Sequence, residues 1–376
     1  MTGPALPADV VPPDRALRSV LTSAAAALGV PGCENALAVP EGRRVVVALV
    51  DGLGRSLLKR FGGHAPTLRV AMADGGRVLE VAVPTTTAAS LTSLGTGLDV
   101  GEHGVAGYDV LDPDRDVVIN QLGGWDEATD PVGWQPKPTV FERAAAAGVD
   151  AVTVSLPAFE RSALTRAGLR GGRFVAGRTL IARAQAAERV MKDARVPTLV
   201  YFYVNELDKA GHRDGVGSER WLHALEEIDA AVRRLVDRVP AGTVVLATGD
   251  HGMVDVPSTH QVVAEDEPEL MAGVIALAGE GRFRQLYVDT DDPARVAARW
   301  RGLLGDRAWV RTRDEAVEEG WFGPVADDLR ERYGHVLVAM RGNWAVMTRQ
   351  YPRELTLVGM HGSLTEAEML VPLLLG

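Results

Sequence analysis

Residues 44–50, Arg-Val-Val-Val-Ala-Leu-Val, set six apolar side chains in a row with no polar alternation, the pattern of a strand buried on both faces. Similar runs recur at 78–83, 149–154, 198–204 and 243–248. Helical patterns fall between them at 16–28, 88–94, 139–147, 181–193 and 218–238. The alternation predicts an α/β fold: a mostly parallel central sheet with helices on both faces. From about 261 to 348 the runs shorten, with candidate strands at 273–277, 283–288 and 335–340 and a helix at 293–304. This predicts a smaller inserted α+β cap, residues 261–348, on a catalytic core of residues 1–260 and 349–376.

Several function classes are disfavoured at once. The chain has 376 residues, 46 % of them hydrophobic, enough for a large buried core. A net charge of −10 argues against a general electrostatic grip on nucleic acid or an anionic membrane. Any phosphate must be held locally. The single Cys33 excludes an internal disulfide. Residues 1–15 carry four prolines and two aspartates with no basic start or apolar stretch, so no secretory leader is visible. No apolar run approaches the roughly 20 residues that span a bilayer. The expectation is a cytoplasmic protein without membrane partners; the oligomeric state is left open.

The polar residues that end the apolar runs set the chemistry. Asp51 follows the first run, Thr87 the second, Asp208 the fourth and Asp250 the fifth. In a mostly parallel sheet these positions share the carboxyl edge, where such folds place ligand crevices. Asp51, followed by Gly52 and Gly54, suits a hard oxygen ligand on a tight turn, or a helix cap. The run Thr85-Thr86-Thr87 opens a helix; a hydroxyl there sits in the positive end of the helix dipole, although an isolated Thr run is better explained as a cap. Asp208 and His212 are four residues apart and share a helical face, which fits either a shared ion or a surface pair. Asp250 and His251 can share a metal only if the chain turns, which the flanking Gly249 and Gly252 permit.

Together with His361 in Met360-His361-Gly362, the set resembles the alkaline phosphatase superfamily, most closely its nucleotide pyrophosphatase/phosphodiesterase branch. Pro84-Thr85-Thr86-Thr87 is similar to the Pro-Thr-x-Thr nucleophile segment of that branch. Thr87 stands nine residues before Thr96, as the nucleophile does there, and Gly101-Glu102-His103-Gly104 matches a short stretch downstream. The resemblance runs from about residue 45 to 362 and is weakest across the insert.

That resemblance implies an alkaline-phosphatase-like fold and two divalent cations, zinc first and manganese as a substitute. Asp208, His212 and His361 would hold one; Asp51, Asp250, His251 and the Thr87 oxygen would hold the other. Thr87 would attack phosphorus, and water would then hydrolyse the phosphothreonine. The implied substrate is a small-molecule phosphodiester or pyrophosphate. Departures matter too. Nucleotide-cleaving members have an aromatic residue after the nucleophile, where this chain has Ala88, and an Asn 21 residues after it, where this chain has Tyr108. Tyr108 is a candidate phosphate contact, since a phenol can donate one hydrogen bond.

Alternatives within the superfamily are a phosphomonoesterase or a phosphonate hydrolase. Monoesters usually need an extra cation, for which Arg161, Arg166, Arg170 and Arg173 are candidates. A mutase fits less well, because that branch generally uses Ser where this chain has Thr87. A remote alternative is a non-catalytic scaffold that binds a phosphorylated ligand. His64, His103, His223, His260 and His335 read as structural or surface residues; Trp125, Trp134, Tyr201 and Tyr203 could line a pocket, though aromatic residues beside strands usually form core.

Overall fold

The six apolar residues of the first run form strand β1 (Arg44–Val50), and alternate side chains face opposite ways. Val45, Val47 and Leu49 enter one buried cluster, with helices α1 (Ser19–Ala27), α2 (Thr87–Thr96) and α3 (Val140–Ala146). Val46, Ala48 and Val50 enter another, with α4 (Leu180–Asp193), the base of α5 (Glu206–Asp214) and α6 (Glu219–Arg238). One strand thus serves two cores, which is why its sequence shows no polar alternation. These features come from a computed structural model that describes residues 15–376; the stretch read for a leader lies outside them except for Arg15.

The central sheet contains β1, β2 (Arg77–Glu80), β3 (Asp150–Ser155), β4 (Arg173–Ala176), β5 (Thr198–Val204) and β6 (Thr243–Gly249). A second sheet contains β7 (Val274–Glu280), β8 (Phe283–Val288), β9 (Ala308–Thr312) and β10 (Val336–Met340). The chain then returns to the first sheet with β11 (Leu370–Leu375). The order of the central sheet is β2-β11-β6-β1-β5-β3-β4. β1 pairs in parallel with β5 and β6, and β3 with β4 and β5. Only β11 runs the other way, antiparallel to both β2 and β6. The expected α/β class is the observed one.

The second sheet is antiparallel, in the order β7-β8-β10-β9, with helix α7 (Pro293–Leu304) on one face. Trp300 and Leu304 of α7 bury against Leu286, Val310 and Val338 in a cluster of its own. Its β7–β8 turn reaches the central crevice.

Strands β4, β9 and β11 and the hairpin of Asp109–Asp112 with Val117–Asn120 were not anticipated. For β11 the reason is Pro372, which ordinarily argues against an inner strand. Here Pro372 pairs across to Val78 only, and the ladder to β6 begins one residue later at Leu373. The inner ladder starts only past the proline, which has no N–H to give it.

Candidate active site

Val50 lies level with Val204 on one side and Gly249 on the other, so Asp51, Asn205 and Asp250 leave the sheet at one height. Gly52 turns the chain there in a left-handed conformation, φ +79°, and a Cβ on it would come within 3.3 Å of the Asp208 backbone. Gly249 and Gly252 serve a different purpose from the turn anticipated for them. Neither is left-handed. A Cβ on Gly252 would stand 1.9 Å from the Ala367 carbonyl oxygen, and one on Gly249 would stand 2.3 Å from that of Leu53. They allow close backbone packing beneath Asp250 and His251.

Two groups of metal-type donors result, each with its three ligand atoms within 4.8 Å of one another. In the first, α5 brings Asp208 Oδ1 to 3.3 Å from His212 Nε2. His361 Nε2 lies 3.3 Å from His212 Nε2 and 3.8 Å from Asp208 Oδ1. In the second, His251 Nε2 is 3.3 Å from Asp51 Oδ1 and 3.7 Å from Asp250 Oδ2. The rings of His251 and His361 stack at 3.6 Å, so the two groups adjoin.

Each imidazole is oriented by its other nitrogen. Nδ1–H donates to the Gly359 carbonyl from His212, at 2.8 Å, to that of Thr85 from His361, at 2.8 Å, and to that of Gly252 from His251, at 3.0 Å. A carbonyl can only accept, so each Nδ1 carries a proton and all three Nε2 atoms turn inward. The carboxylates are tied in the same fashion. Asp51 Oδ2 accepts from the Tyr203 hydroxyl, and Asp250 Oδ1 from the Gly52 N–H at 3.1 Å. Their opposite oxygens, Asp51 Oδ1 and Asp250 Oδ2, are buried without a hydrogen-bond partner, as is Asp208 Oδ1.

The electrostatics of these groups describe a site short of positive charge. Burial drives Asp250 well above the ordinary carboxyl range, with the neighbouring Asp51 charge adding to it, and lifts Asp208 to about 6. Burial opposes a charged His251, yet Asp250 and Asp51 hold it up at about 10. His361, buried beside His251, falls well below its usual value. Three partnerless carboxylate oxygens and three inward nitrogens, divided between two groups, fit two divalent cations by number and donor type.

The three threonines have separate tasks. Thr85 Oγ1 donates to the Ser363 carbonyl at 2.9 Å and accepts from Gly362 N–H at 3.0 Å. Thr86 caps α2, accepting from Ala89 N–H at 3.3 Å. Thr87 is left free of both tasks, and its Oγ1 stands 3.2 Å from His251 Nε2.

A cavity of about 850 Å³ opens over both groups, lined by Thr87, Tyr108, Asn120, Phe159, Tyr201 and Tyr203 among others. Tyr108 therefore faces the same space as Thr87. Arg166, Arg170 and Arg173 instead pair with Asp130, Glu142 and Asp150, and neither they nor Arg161 line the cavity. The other histidines serve elsewhere: His103 bonds Ser93, His64 pairs with Glu226, and His260 stacks on Trp344. The hydrogen bond from Tyr203 to Asp51 is the site feature that sequence reasoning missed. Its signal was a tyrosine one residue from the polar end of an otherwise apolar strand.

Comparison with known proteins follows the same lines. Residues 45–364 match the family described as type I phosphodiesterase / nucleotide pyrophosphatase. The fold is similar to that of murine ectonucleotide pyrophosphatase / phosphodiesterase 5, with a TM-score of 0.69 at 16 % identity over 88 % of this chain and 87 % of that one. It is equally similar to phosphonoacetate hydrolase from Sinorhizobium meliloti 1021 in complex with phosphonoacetate, with a TM-score of 0.69 at 19 % identity over 90 % and 91 %. A short stretch is 39 % identical over 71 residues to the 2,3-bisphosphoglycerate-independent phosphoglycerate mutase of Metallosphaera sedula. That stretch is 19 % of this chain and spans only 16 % of the mutase. With the family match covering β1 through the residues just beyond His361, the chain belongs to the type I phosphodiesterase / nucleotide pyrophosphatase family of phosphoric ester hydrolases, within the alkaline phosphatase superfamily.

Proposed function

We propose that this chain hydrolyses phosphodiester or pyrophosphate bonds of a small molecule through a covalent phosphothreonine on Thr87. The observation that carries the proposal is the freedom of Thr87: its neighbour Thr86 caps the helix, and its own Oγ1 stands 3.2 Å from His251 Nε2, the nitrogen donor of one group. Asp208, His212 and His361 would hold one divalent cation. Asp51, Asp250, His251 and the Thr87 oxygen would hold the second. Zinc suits these oxygen and nitrogen donors, and manganese is tolerated by the same set. When bound, the cations supply Lewis acidity toward the attacking and leaving oxygens.

The protein's part is positioning. Thr87, as the first residue of α2, places its oxygen at the positive end of the helix dipole, which favours the alkoxide and the phosphoryl oxygens together. Thr87 Oγ1 gives up its proton to water and bonds to phosphorus as the bond to the leaving oxygen breaks, and that oxygen takes up a proton from water. Water then breaks the new Oγ1–phosphorus bond. Tyr108 is proposed to donate one hydrogen bond to a phosphoryl oxygen from a phenol that burial keeps protonated. The cavity's aromatic walls leave room for a second ester group, which supports a diester over a monoester. Residues 261–348 are proposed as the inserted cap, and a cytoplasmic location remains part of this reading.

The test compares a bis-aryl with a mono-aryl phosphate on the zinc-loaded protein. Faster turnover of the bis ester is expected, Thr87→Ala should lower it by at least about a thousandfold, and acid quenching of wild type should trap an aryl-phosphoryl group on Thr87. Wild-type rates in Thr87→Ala would end the covalent reading. Preference for the mono ester would replace the diesterase by a phosphomonoesterase.

A further inference from the structure

Arg282, in the turn between β7 and β8, and Glu368, just before β11, form an ion pair whose two side chains are fully buried. Such a pair is costly to desolvate and replaceable by apolar groups, so stability alone is a weak reason for it. Its geometry supplies another. Arg282 Nε donates to Glu368 Oε1 at 3.0 Å and Nη2 to Oε2 at 2.6 Å, a two-pronged contact that fixes the carboxylate plane. Arg282 Nη1 is taken by the Trp344 carbonyl. The same carboxylate accepts twice more, from the Ser363 N–H at 3.0 Å and from the Thr365 hydroxyl.

Ser363 is where the pair meets the site. Its N–H is held by Glu368, its Oγ donates to the Met340 carbonyl at the end of β10 at 2.6 Å, and its carbonyl accepts from Thr85 Oγ1. Thr85 in turn takes the His361 Nδ1–H on its carbonyl and donates its own N–H to the Gly362 carbonyl at 3.0 Å. A continuous hydrogen-bonded path therefore runs from Arg282 through Glu368, Ser363 and Thr85 to His361. The donor group of His251 meets Glu368 only through backbone: the Gly252 N–H donates to the Glu368 carbonyl at 2.8 Å, a bond that no side-chain change removes.

We propose that Arg282 and Glu368 are a positioning pair, through which the second sheet fixes the His361 imidazole and so the cation held by Asp208, His212 and His361. The inference rests on the reading of the two donor groups as cation sites. It requires an unequal effect: loosening the pair weakens that cation and spares the one at Asp51, Asp250 and His251.

The experiment measures zinc bound per full-length chain against zinc-buffered solutions, and the unfolding of the same proteins in chelator. Wild type should bind two ions. Arg282→Met/Glu368→Leu removes both charges together and leaves none buried alone, so metal-free unfolding should stay within about a few degrees of wild type. One of its two ions should bind about 10- to 100-fold more weakly, the usual cost of losing an outer contact to a ligand. Arg282→Lys, which keeps the charge but not the fork, should fall in between. Added to His361→Ala, the paired substitutions should cost no further zinc affinity, because the ion they act on is already lost. Two ions at wild-type affinity in the paired variant overturn the proposal. Equal weakening of both ions, or a weakening that vanishes once the unfolded fraction is accounted for, overturns it too by making the pair purely structural. If the paired variant does not fold, Arg282→Lys decides on the same terms. Wild type that binds fewer than two zinc ions defeats the cation reading itself, whereas two ions in wild type and an indifferent variant defeat only the positioning pair.

Discussion

Tyr203 shows how much one hydroxyl decides. By donating to Asp51 Oδ2 it leaves Oδ1 turned towards His251 and the cavity. Tyr203→Phe keeps the ring and its stacking on Tyr201, so the fold should persist. Metal affinity should fall by about 10- to 100-fold, with activity restored by excess zinc. Unchanged affinity in a metal titration would refute the orienting role. The seven proposed ligand residues were legible because each sits at a strand end or at helical spacing, where a polar side chain has few other reasons to be. Tyr203 was not, because a tyrosine inside an apolar strand looks the same whether it packs or donates. Glu280, which lines the same cavity, was hidden for another reason: it ends a strand of the second sheet, and nothing in sequence tells where the β7–β8 turn will land.

Among the elements, the turn of residues 100–103 is tied to α2 through His103. Nδ1 accepts from the Val105 N–H at 3.1 Å, so Nε2 carries the proton and donates to Ser93 Oγ at 2.9 Å. Burial, with Arg332 adding to it, depresses His103 from 6.5 to about 3. Between those values the unfolded chain binds a proton that the native one refuses. Stability contributed by the neutral ring is thus whole above pH 6.5 and is lost as pH falls, by about 1.4 kcal/mol per unit. Urea midpoints between pH 7 and 5 should drop more steeply for wild type than for His103→Asn; parallel slopes would contradict this. Long elements were the legible ones: Glu219–Arg238 matches the expected 218–238 within a residue, since apolar periodicity accumulates over many turns. Short edge pieces such as Arg173–Ala176 lack that length, and pairing partners rather than pattern make them strands.

For the molecule as a whole, the two donor groups take Asp51, Asp208 with His212, Asp250 with His251, and His361 from four separate stretches of chain, so filling them joins those stretches. Ligands that bind only the native state stabilise it by mass action, about 4 kcal/mol at a thousandfold excess over Kd. Removing divalent ions with a chelator should lower the unfolding temperature by several degrees, and zinc should restore it. A melting curve indifferent to both treatments would mean that these residues hold no cation. The global architecture was readable from runs and their spacing, whereas the order in which strands assemble in the sheet was not. β2 has its sheet partner in β11, on the order of three hundred residues downstream, and Thr85, two residues before Thr87, is held by Gly362 and Ser363. A ribosome-bound chain still lacking those residues can build most of its layers but has nothing to clamp the loop before Thr87, the proposed nucleophile. Hydrolytic competence is thereby reserved for the finished polypeptide, and a nascent or clipped chain would be catalytically silent.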